Sequence, residues 1–387
     1  MRFKHQKQYA RAEKYTQRSL SGLPSGTMTT PEPVPTTPPP TVPPVTTPPP
    51  LATTPWLPQC TIASGGTGYT VLARPAAATA SPSNVNTGLN STAFISSTGF
   101  NPSSLKPMPL PVVNNTSVTG ASLCAGNANY IAGPTASRTT CYLVSCFGDE
   151  GCFTCSGTFV ADPTGQERLL FMTATHCVAR TETDLMVLTK SFVSCDRDAG
   201  INTASNGVFQ PVAVAMSKIE FAIRYGLKDG SLIQVLALAD TRLGFALPVA
   251  VGAVTTTGLT QSVPNFSAGF PQIDDSRFEG CNAVNLGNPL AVHFSRVIST
   301  RTLTSSGLQI PRLSACGGNS GGTMMDEQAC VLFGVLSASS ISCVSGTSSN
   351  YYSRIVASAT ENGVPVDGVP FLALAGGLIN GQVGFVN

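Results

Sequence analysis

Short apolar runs alternate with turn-forming residues between about residue 141 and residue 360. The runs are five to nine residues long, and Gly, Pro, Asn and Asp stand between them. Regularly spaced short strands without amphipathic helices between them are typical of an all-β sandwich or barrel. The runs that we expect to form strands are 157–161, 169–174, 212–216, 219–225, 233–238, 266–270 and 330–338.

The rest of the chain divides into three further segments. Residues 31–50 contain eleven prolines, and because proline fixes φ and lacks an N–H, this stretch should be an extended spacer. We expect a disordered basic N-terminus and Pro/Thr-rich linker over 1–58. Residues 59–140, which contain Cys60 and Cys124, are an accessory segment or a pro-segment, and residues 361–387 form a tail without a clear pattern.

The composition excludes two classes of partner. The chain is 42% hydrophobic and 11% charged, but no stretch approaches the ~20 uninterrupted apolar residues of a membrane-spanning helix. The formal net charge is +2, and no basic cluster follows the first 20 residues, so the chain lacks the electrostatic footprint of a nucleic-acid-binding protein. We expect a monomer that neither spans a membrane nor binds nucleic acid.

The cysteines indicate an oxidised, exported protein. There are twelve, an even number, and the chain has three histidines. A Cys-x-x-Cys pair can bind zinc, but such a site needs a second ligand pair of matching spacing, so a disulfide framework is the better interpretation. Residues 1–26 are basic but lack the apolar core of a signal peptide, and the expectation of secretion depends on the cysteines and the linker. The closely spaced cysteines are Cys141, Cys146, Cys152 and Cys155.

Two segments carry the candidate chemistry. Residues 170–177 place His176 at the end of an apolar strand, and residues 316–322, CGGNSGG, place Ser320 in a glycine-rich turn. Glycine on both sides lets the backbone adopt positive φ and lets a substrate approach closely. Such a turn can direct successive N–H groups at one point, as an oxyanion hole requires.

Together these segments resemble the chymotrypsin-like serine peptidases, whose pattern is Thr-Ala-Ala-His-Cys followed much later by Gly-Asp-Ser-Gly-Gly. Residues 173–177 read TATHC, residues 318–322 read GNSGG, and the histidine precedes the serine by 144 residues. The resemblance covers roughly residues 141–355. It implies a serine-type endopeptidase domain over 141–360, folded as a double six-stranded antiparallel β-barrel.

Further features of the resemblance imply two disulfides. The segment 155–159, CSGTF, precedes His176 and is similar to the strand whose cysteine bridges to the cysteine after the histidine. This implies a Cys155–Cys177 bond. Cys316 and Cys343 bracket the serine turn as the pocket disulfide of the family does. Segments 334–337 and 350–355 are similar to the family's substrate-binding strand and to a later strand.

The third member of the triad is less well defined. Members of the family carry Asp-Ile-Ala-Leu or a close variant between the histidine and the serine, and the best match is Glu220 in EFAI, 44 residues after His176. A carboxylate is needed to fix the imidazole tautomer and to stabilise the imidazolium. Glu220 is therefore our first assignment, with Asp229 or Asp198 as the substitute if Glu220 is an ordinary strand residue.

Asn319 is a second departure from the family pattern. In the trypsin branch an Asp precedes the serine and pairs with a newly cut N-terminus in an Ile-Val-Gly-Gly sequence, and this chain has neither. Gly-Asn-Ser-Gly also occurs in the HtrA-like and glutamyl-endopeptidase-like branches, which lack that switch. We therefore expect no activation by a new N-terminal ion pair, although removal of residues before about 140 remains open.

The resemblance assigns the remaining roles. Ser320 is the nucleophile, His176 is the general base, and the N–H groups of Gly318 and Ser320 form the oxyanion hole. No metal or organic cofactor is needed, and the partners are protein or peptide substrates. The positions similar to the substrate-binding pocket lack a carboxylate, which favours a neutral residue before the cleaved bond. They are Ser314, Ser337, Ser339 and Asn350.

Two alternatives belong to other classes. The first is a catalytically inactive protease fold used for binding or adhesion. The only sequence feature that allows it is Glu220, which stands where the family carries Asp. The second is an esterase-type hydrolase, because residues 318–322 fit Gly-x-Ser-x-Gly. That fold requires the order Ser, acid, His, whereas His176 precedes Ser320, and alternating parallel βα units are missing.

Overall fold

The computed structural model describes the following residues: 68–75, 85–86, 89–101, 104–111, 113, 139–166, 168–179, 190–195, 207–217, 228–241, 247–270, 293–311, 315–340, 349–361, 363–378 and 383–386. Residues 54–387 form one compact unit, and residues 1–53 are a separate unit that lies outside the described residues. The described part is dominated by β-strands.

The strands, in chain order, are β1 (Tyr69–Ala73), β2 (Val85–Asn86), β3 (Lys106–Pro107), β4 (Thr140–Phe147), β5 (Gly151–Val160), β6 (Leu169–Thr173), β7 (Ser191–Ser194), β8 (Val208–Ser217), β9 (Ser231–Leu238), β10 (Ala250–Val254), β11 (Val263–Gly269), β12 (His293–Ser299), β13 (Thr302–Thr304), β14 (Gly307–Pro311), β15 (Thr323–Met325), β16 (Val331–Ser339), β17 (Ser349–Val356), β18 (Thr360–Glu361), β19 (Val364–Pro365), β20 (Val369–Pro370) and β21 (Val383–Val386). The α-helices are α1 (Ser91–Ser97), α2 (Thr256–Thr260) and α3 (Phe371–Gly376), and short 3-10 turns span Gly148–Glu150 and Thr175–Cys177.

Six strands close into the first barrel. They pair in the order β9, β6, β5, β4, β7 and β8, and pairing of β8 with β9 completes the ring. Successive side chains of a strand point to opposite faces, so a strand that is buried on both sides carries apolar residues at consecutive positions. In β4, Cys141 and Leu143 join the cluster inside this barrel, whereas Tyr142 and Val144 join the large cluster shared with the second sheet.

The second sheet curls in the order β12, β11, β15, β16, β17, β14 and β13, and no pairing between described strands closes it. Its own apolar cluster includes Leu308, Ile310, Phe333 and Tyr352. The chain is therefore all-β, as expected, with one closed six-stranded barrel and one half-open barrel.

Strands from outside residues 141–360 add to both sheets. In the segment 59–140, β1 pairs with β10, β2 with β9 and β3 with β5; in the C-terminal tail, β20 pairs with β17 and β21 with β8. Both segments thus contribute strands to the barrels, while the division of the chain at 58, 140 and 360 stays a prediction. No described helix is long and apolar enough to cross a membrane.

A salt bridge fixes the end of α3 to the first barrel. The Arg168 guanidinium donates to both carboxylate oxygens of Asp162, at 2.8 and 3.0 Å, and to the carbonyl oxygen of Ala375 at 3.1 Å. The last helical carbonyls have no partners within a helix, so a cation here satisfies one of them.

This salt bridge should make stability pH-dependent. Burial acts to raise the pKa of Asp162, but hydrogen bonds from Arg168 and Thr164 outweigh it and lower the pKa to about 2. Since an unfolded Asp titrates near 3.9, the ionised carboxylate stabilises the folded state above about pH 4, and this contribution is lost as the pH falls toward 2. We expect Asp162→Asn to lower the thermal unfolding midpoint at pH 7, and the difference from wild type to shrink below about pH 4.

Asp367→Asn is the matched control, because Asp367 is exposed and its Lys228 partner lies 4.0 Å away. Exposed pairs at this distance contribute little, so its midpoint should stay close to wild type. A difference for Asp162→Asn that is the same at pH 3 and pH 7 would contradict this account.

Candidate active site

The candidate histidine is held where β6 ends. The 3-10 turn Thr175–Cys177 follows β6 directly, and His176 is 5% exposed. A disulfide joins Cys177 to Cys155 of β5, with an S–S distance of 2.00 Å. The turn is thereby fixed to the neighbouring strand, as the resemblance implies.

One buried carboxylate orients this histidine. Asp229 accepts from the His176 ring Nδ1 at 2.7 Å and from the His176 backbone N–H at 3.0 Å. A third donor, the Ser337 hydroxyl, lies 2.6 Å from the same Asp229 oxygen as Nδ1. Because Asp229 accepts at Nδ1, the ring hydrogen is assigned to Nδ1, which leaves Nε2 as the basic nitrogen of the neutral ring.

The loop that carries Asp229 is tightly constrained. Asp229 lies two residues before β9, and a Cβ on the following Gly230 would come within 2.4 Å of Val369. Beside it, the Ser231 and Thr175 hydroxyls are hydrogen-bonded at 2.9 Å. The acid and histidine loops are therefore joined directly and cannot move far apart.

The serine turn needs two of its glycines. Gly318 has φ 89° and Gly321 has φ 78°, a region that residues with a Cβ rarely adopt. A Cβ on Gly321 would also lie 2.2 Å from the Ser156 carbonyl oxygen. The Ser320 carbonyl accepts from the Ser156 N–H at 2.7 Å, so the turn is bound to β5 of the first barrel.

The serine and histidine segments adjoin. The Cys177 Sγ lies 3.6 Å from the Ser320 carbonyl oxygen. The Ser320 side chain is buried, and its Oγ makes no hydrogen bond to any described residue. The serine turn therefore adjoins the segment that carries His176, through the contact between Cys177 and the Ser320 carbonyl.

One of the two expected oxyanion donors is occupied. The Gly318 N–H donates to the Met108 carbonyl oxygen at 2.9 Å. Met108 follows β3 and is itself buried. The N–H that the resemblance assigns to the oxyanion hole is therefore already hydrogen-bonded to a main-chain carbonyl from the segment before the barrels.

Comparisons with known proteins return distant structural similarity only. No model of a known protein family matches the chain, and no curated protein matches it. Among solved structures, the protease Anisep of Arthrobacter nicotinovorans aligns with 61% of this chain and 92% of its own at 15% identity and a TM-score of 0.42. A thermostable serine protease from an extremophilic microorganism aligns with 57% of this chain and 93% of its own at 17% identity and a TM-score of 0.41.

An inactivated protease paralogue of the scabies mite is also similar, over 58% of this chain and 92% of its own, at 11% identity and a TM-score of 0.39. These values are too low to transfer an activity. The assignments that follow therefore depend on the residues of this chain.

Several residues expected at the site lie outside the described part of the chain. They are Glu220, Asp198, Ser314 and Cys343. The carboxylate that the structure places against His176 is that of Asp229, the substitute named from the sequence. Glu220 lies outside the described residues, so the choice between Asp229 and Glu220 as the acid stays a prediction.

Three expected pocket residues have different surroundings. The Ser337 hydroxyl donates to Asp229, and the assignment of Ser337 to substrate binding stays a prediction. The Ser339 backbone pairs with residues of the segment that contains Met108. Asn350 is buried, with its Nδ2 atom 3.5 Å from the Tyr352 hydroxyl.

The segment around Met108 has a role at the site that the sequence did not lead us to expect. Prolines at 107, 109 and 111 alternate with Met108 and Leu110. Alternate prolines favour an extended chain, and apolar residues between them are the pattern of a segment that buries one face. That signal was present, but its partner strands are far away in sequence.

The closely spaced cysteines form disulfides. Cys146 bonds to Cys152 and Cys141 bonds to Cys195. With Cys155 bonded to Cys177, neither member of the Cys-x-x-Cys pair is available as a metal ligand, and no group of three metal-ligating side chains occurs among the described residues. Cys316 is also disulfide-bonded.

The geometry of the serine turn predicts that Gly321→Ala lowers the free energy of unfolding more than Gly99→Ala does. Gly321→Ala meets both a positive φ and a backbone atom, whereas Gly99 has φ 68° and nothing within 4 Å of the point where a Cβ would lie. Positive φ costs an Ala roughly 1–2 kcal/mol. We expect Gly99→Ala to lose about that much free energy of unfolding and Gly321→Ala to lose more, by urea titration with matched m-values. Equal losses would contradict the close packing of the turn.

Proposed function

We propose that the chain is an exported serine endopeptidase that acts on protein or peptide substrates through Ser320, His176 and Asp229. The observation that carries the proposal is the buried Asp229–His176 hydrogen bond of 2.7 Å beside a glycine-rich serine turn. A carboxylate bound to Nδ1 orients an imidazole so that Nε2 can accept a proton.

Each residue then has one step. Ser320 Oγ attacks the scissile carbonyl while His176 Nε2 takes the hydroxyl proton and later delivers it to the leaving amine. Water repeats the sequence on the acyl-enzyme, which releases the acid product and restores the serine. The proposed role of Asp229 is to stabilise the imidazolium, and three donors hold its carboxylate in position.

Charge on the carbonyl oxygen develops near the serine turn. The proposed donors are the N–H groups of Gly318 and Ser320. The Met108 carbonyl that Gly318 already binds at 2.9 Å supports this role, since it is the same type of acceptor as a substrate carbonyl. The Gly318 N–H would bind a substrate carbonyl in the same way before reaction, and this hydrogen bond would strengthen as negative charge develops on the oxygen.

The proposed preference is for a neutral side chain before the cleaved bond. The apolar cluster of the second sheet includes Ala315, Leu336 and Tyr352. Burial raises the pKa of Tyr352 to about 12, so its hydroxyl is uncharged at neutral pH. We take part of this cluster as the wall of the proposed pocket, where the charge of an Arg or Lys side chain would be desolvated without a partner.

The disulfides support the exported location. Three bonds join residues within the first barrel and its loops, and such bonds persist in oxidising compartments. They fix β4, β5 and the histidine turn, which are the elements that position the base. A reducing compartment would remove these constraints.

The second candidate is a protease fold that binds without cleaving. Two observations favour it: Ser320 Oγ has no hydrogen-bond partner among the described residues, and a carbonyl of the chain itself occupies the Gly318 N–H. The two candidates differ in whether the serine reacts.

Labelling by a fluorophosphonate probe distinguishes them. We compare wild type with Ser320→Ala, Asp229→Asn and the control Glu220→Gln, each before and after limited proteolysis. Ser320→Ala should abolish labelling, and Asp229→Asn should slow it by roughly 10⁴-fold, the loss known for triads with a wrong tautomer. Glu220→Gln should match wild type.

The outcomes separate the assignments. Strong slowing in Glu220→Gln with normal labelling in Asp229→Asn would return the acid role to Glu220. A wild-type protein that stays unlabelled before and after proteolysis, and also when its cleft is opened by the substitution described below, would support the non-cleaving binder.

A further inference from the structure

Residues 106–111 and 113, here called the strap, run from β5 past the serine turn to β16, beside Ser320, where the proposed function places the substrate cleft. At one end Lys106 and Pro107 pair in parallel with Phe153 and Thr154 of β5. The Met108 N–H then donates to the Thr154 carbonyl at 2.9 Å. The strap thus begins on the closed barrel, on the strand that carries Cys155.

The middle of the strap lies against the serine turn. The Met108 carbonyl accepts from the Gly318 N–H at 2.9 Å. A Cβ on Gly317 would come within 3.2 Å of Pro107 and 3.4 Å of the Met108 oxygen. The approach is as close as a bound peptide would need, and the acceptor lies at the proposed oxyanion donor.

The far end pairs with the second sheet. Ser339 of β16 donates from its N–H to the Pro111 carbonyl and accepts from the Val113 N–H, both at 2.9 Å. Two bonds from one residue to partners two positions apart are the pattern of parallel strands. The strap therefore bridges both barrels by main-chain hydrogen bonds, with its ends on β5 and β16.

Side chains hold the strap in place. Met108 and Leu110 are buried, while Pro109 between them is exposed. Met108 belongs to the apolar cluster of the closed barrel, and Leu110 belongs to the cluster that includes Ala315 and Leu336. Alternation along an extended chain thus buries one apolar side chain in each barrel.

We propose that the strap is an intramolecular peptide ligand that keeps the cleft closed until it is displaced, and that the Leu110 position marks a subsite for an aliphatic side chain. The proposal rests on the proposed function, since it takes the cleft beside Ser320 as the peptide-binding site. Every type of contact expected of an extended peptide is present: main-chain pairing on both sides, a carbonyl on Gly318 and a buried aliphatic side chain.

The composition of the strap explains how it can occupy this position intact. Prolines at 107, 109 and 111 fix φ and keep the segment extended, which lowers the entropy lost on docking. The bond after the Met108 carbonyl leads to Pro109, whose ring carbon crowds the backbone of Met108. Covalent linkage also gives the strap a high effective concentration at the cleft, so a free peptide competes poorly.

Leu110→Asp should open the cleft. A carboxylate is strongly disfavoured in the apolar cluster, so we expect the fluorophosphonate to label this variant roughly tenfold faster than wild type or more, a shift that corresponds to ~1.4 kcal/mol in the docking equilibrium. Leu372→Asp is the matched control, because Leu372 is 43% exposed on α3. It should label at the wild-type rate.

Leu110→Ala is a milder change and should give an intermediate rate. This variant keeps the test possible if Leu110→Asp does not fold.

A peptide added in trans tests the same contact without catalysis. The peptide LKPMPLPVV, residues 105–113, should slow labelling of Leu110→Asp and should bind Leu110→Asp/Ser320→Ala in titration calorimetry. The same peptide carrying Leu110→Asp should do neither. If the first peptide binds but no variant ever labels, the strap assignment stands and the peptidase assignment fails.

The opposite result overturns the strap assignment. Folded Leu110→Asp and Leu110→Ala that label no faster than Leu372→Asp, together with no binding of LKPMPLPVV, would show that the strap is a fixed part of the barrel packing. Thermal unfolding of each variant establishes that it is folded.

Discussion

The Asp229 carboxylate is the interaction on which the arrangement of the site depends. A fully buried carboxylate is costly unless several donors satisfy it, and here the donors come from two different sheets. His176 supplies two of them from the end of β6, and Ser337 supplies the third from β16. The charge therefore connects the closed barrel to the second sheet, and the two must stay in register for the carboxylate to remain satisfied.

The same junction continues through Ser156 of β5. Its N–H donates to the Ser320 carbonyl, its hydroxyl donates to the Gly318 carbonyl at 2.8 Å, and that hydroxyl accepts from the Phe270 N–H at 2.7 Å. One residue of the first barrel thus holds the serine turn at two points. The position of Ser320 therefore depends on the interface between the sheets, since neither sheet contains all of the contacts.

Much of the fold follows from local pattern. The run 169–174 corresponds to β6, and the run 330–338 corresponds to β16. A continuous apolar run indicates burial of both faces of a strand whether or not the sheet closes, so it could not reveal that the second barrel is half-open among the described strands. The His176 and Ser320 segments were found because each is a short, contiguous pattern.

The carboxylate beside His176 shows where local pattern is insufficient. Glu220 matched the expected letters in a strand-like run, whereas Asp229 stands in a turn with no motif around it. Asp229 reaches His176 Nδ1 because of how β6 and β9 pair, and that register is set by contacts distant in sequence. The contact between the strap and the serine turn could not be predicted for the same reason, because Met108 and Gly318 are separated by 210 positions.

The buried Gly318 N–H explains why the proposed closed state is stable. A buried backbone donor needs an acceptor, and the Met108 carbonyl provides one. When a substrate carbonyl takes that place, one main-chain hydrogen bond is exchanged for another of the same kind, so the exchange itself has little net effect on the free energy. The balance between strap and substrate is then decided by what each buries beside that bond. For the strap those groups are Met108 and Leu110, and a substrate must present apolar side chains of comparable size to displace it.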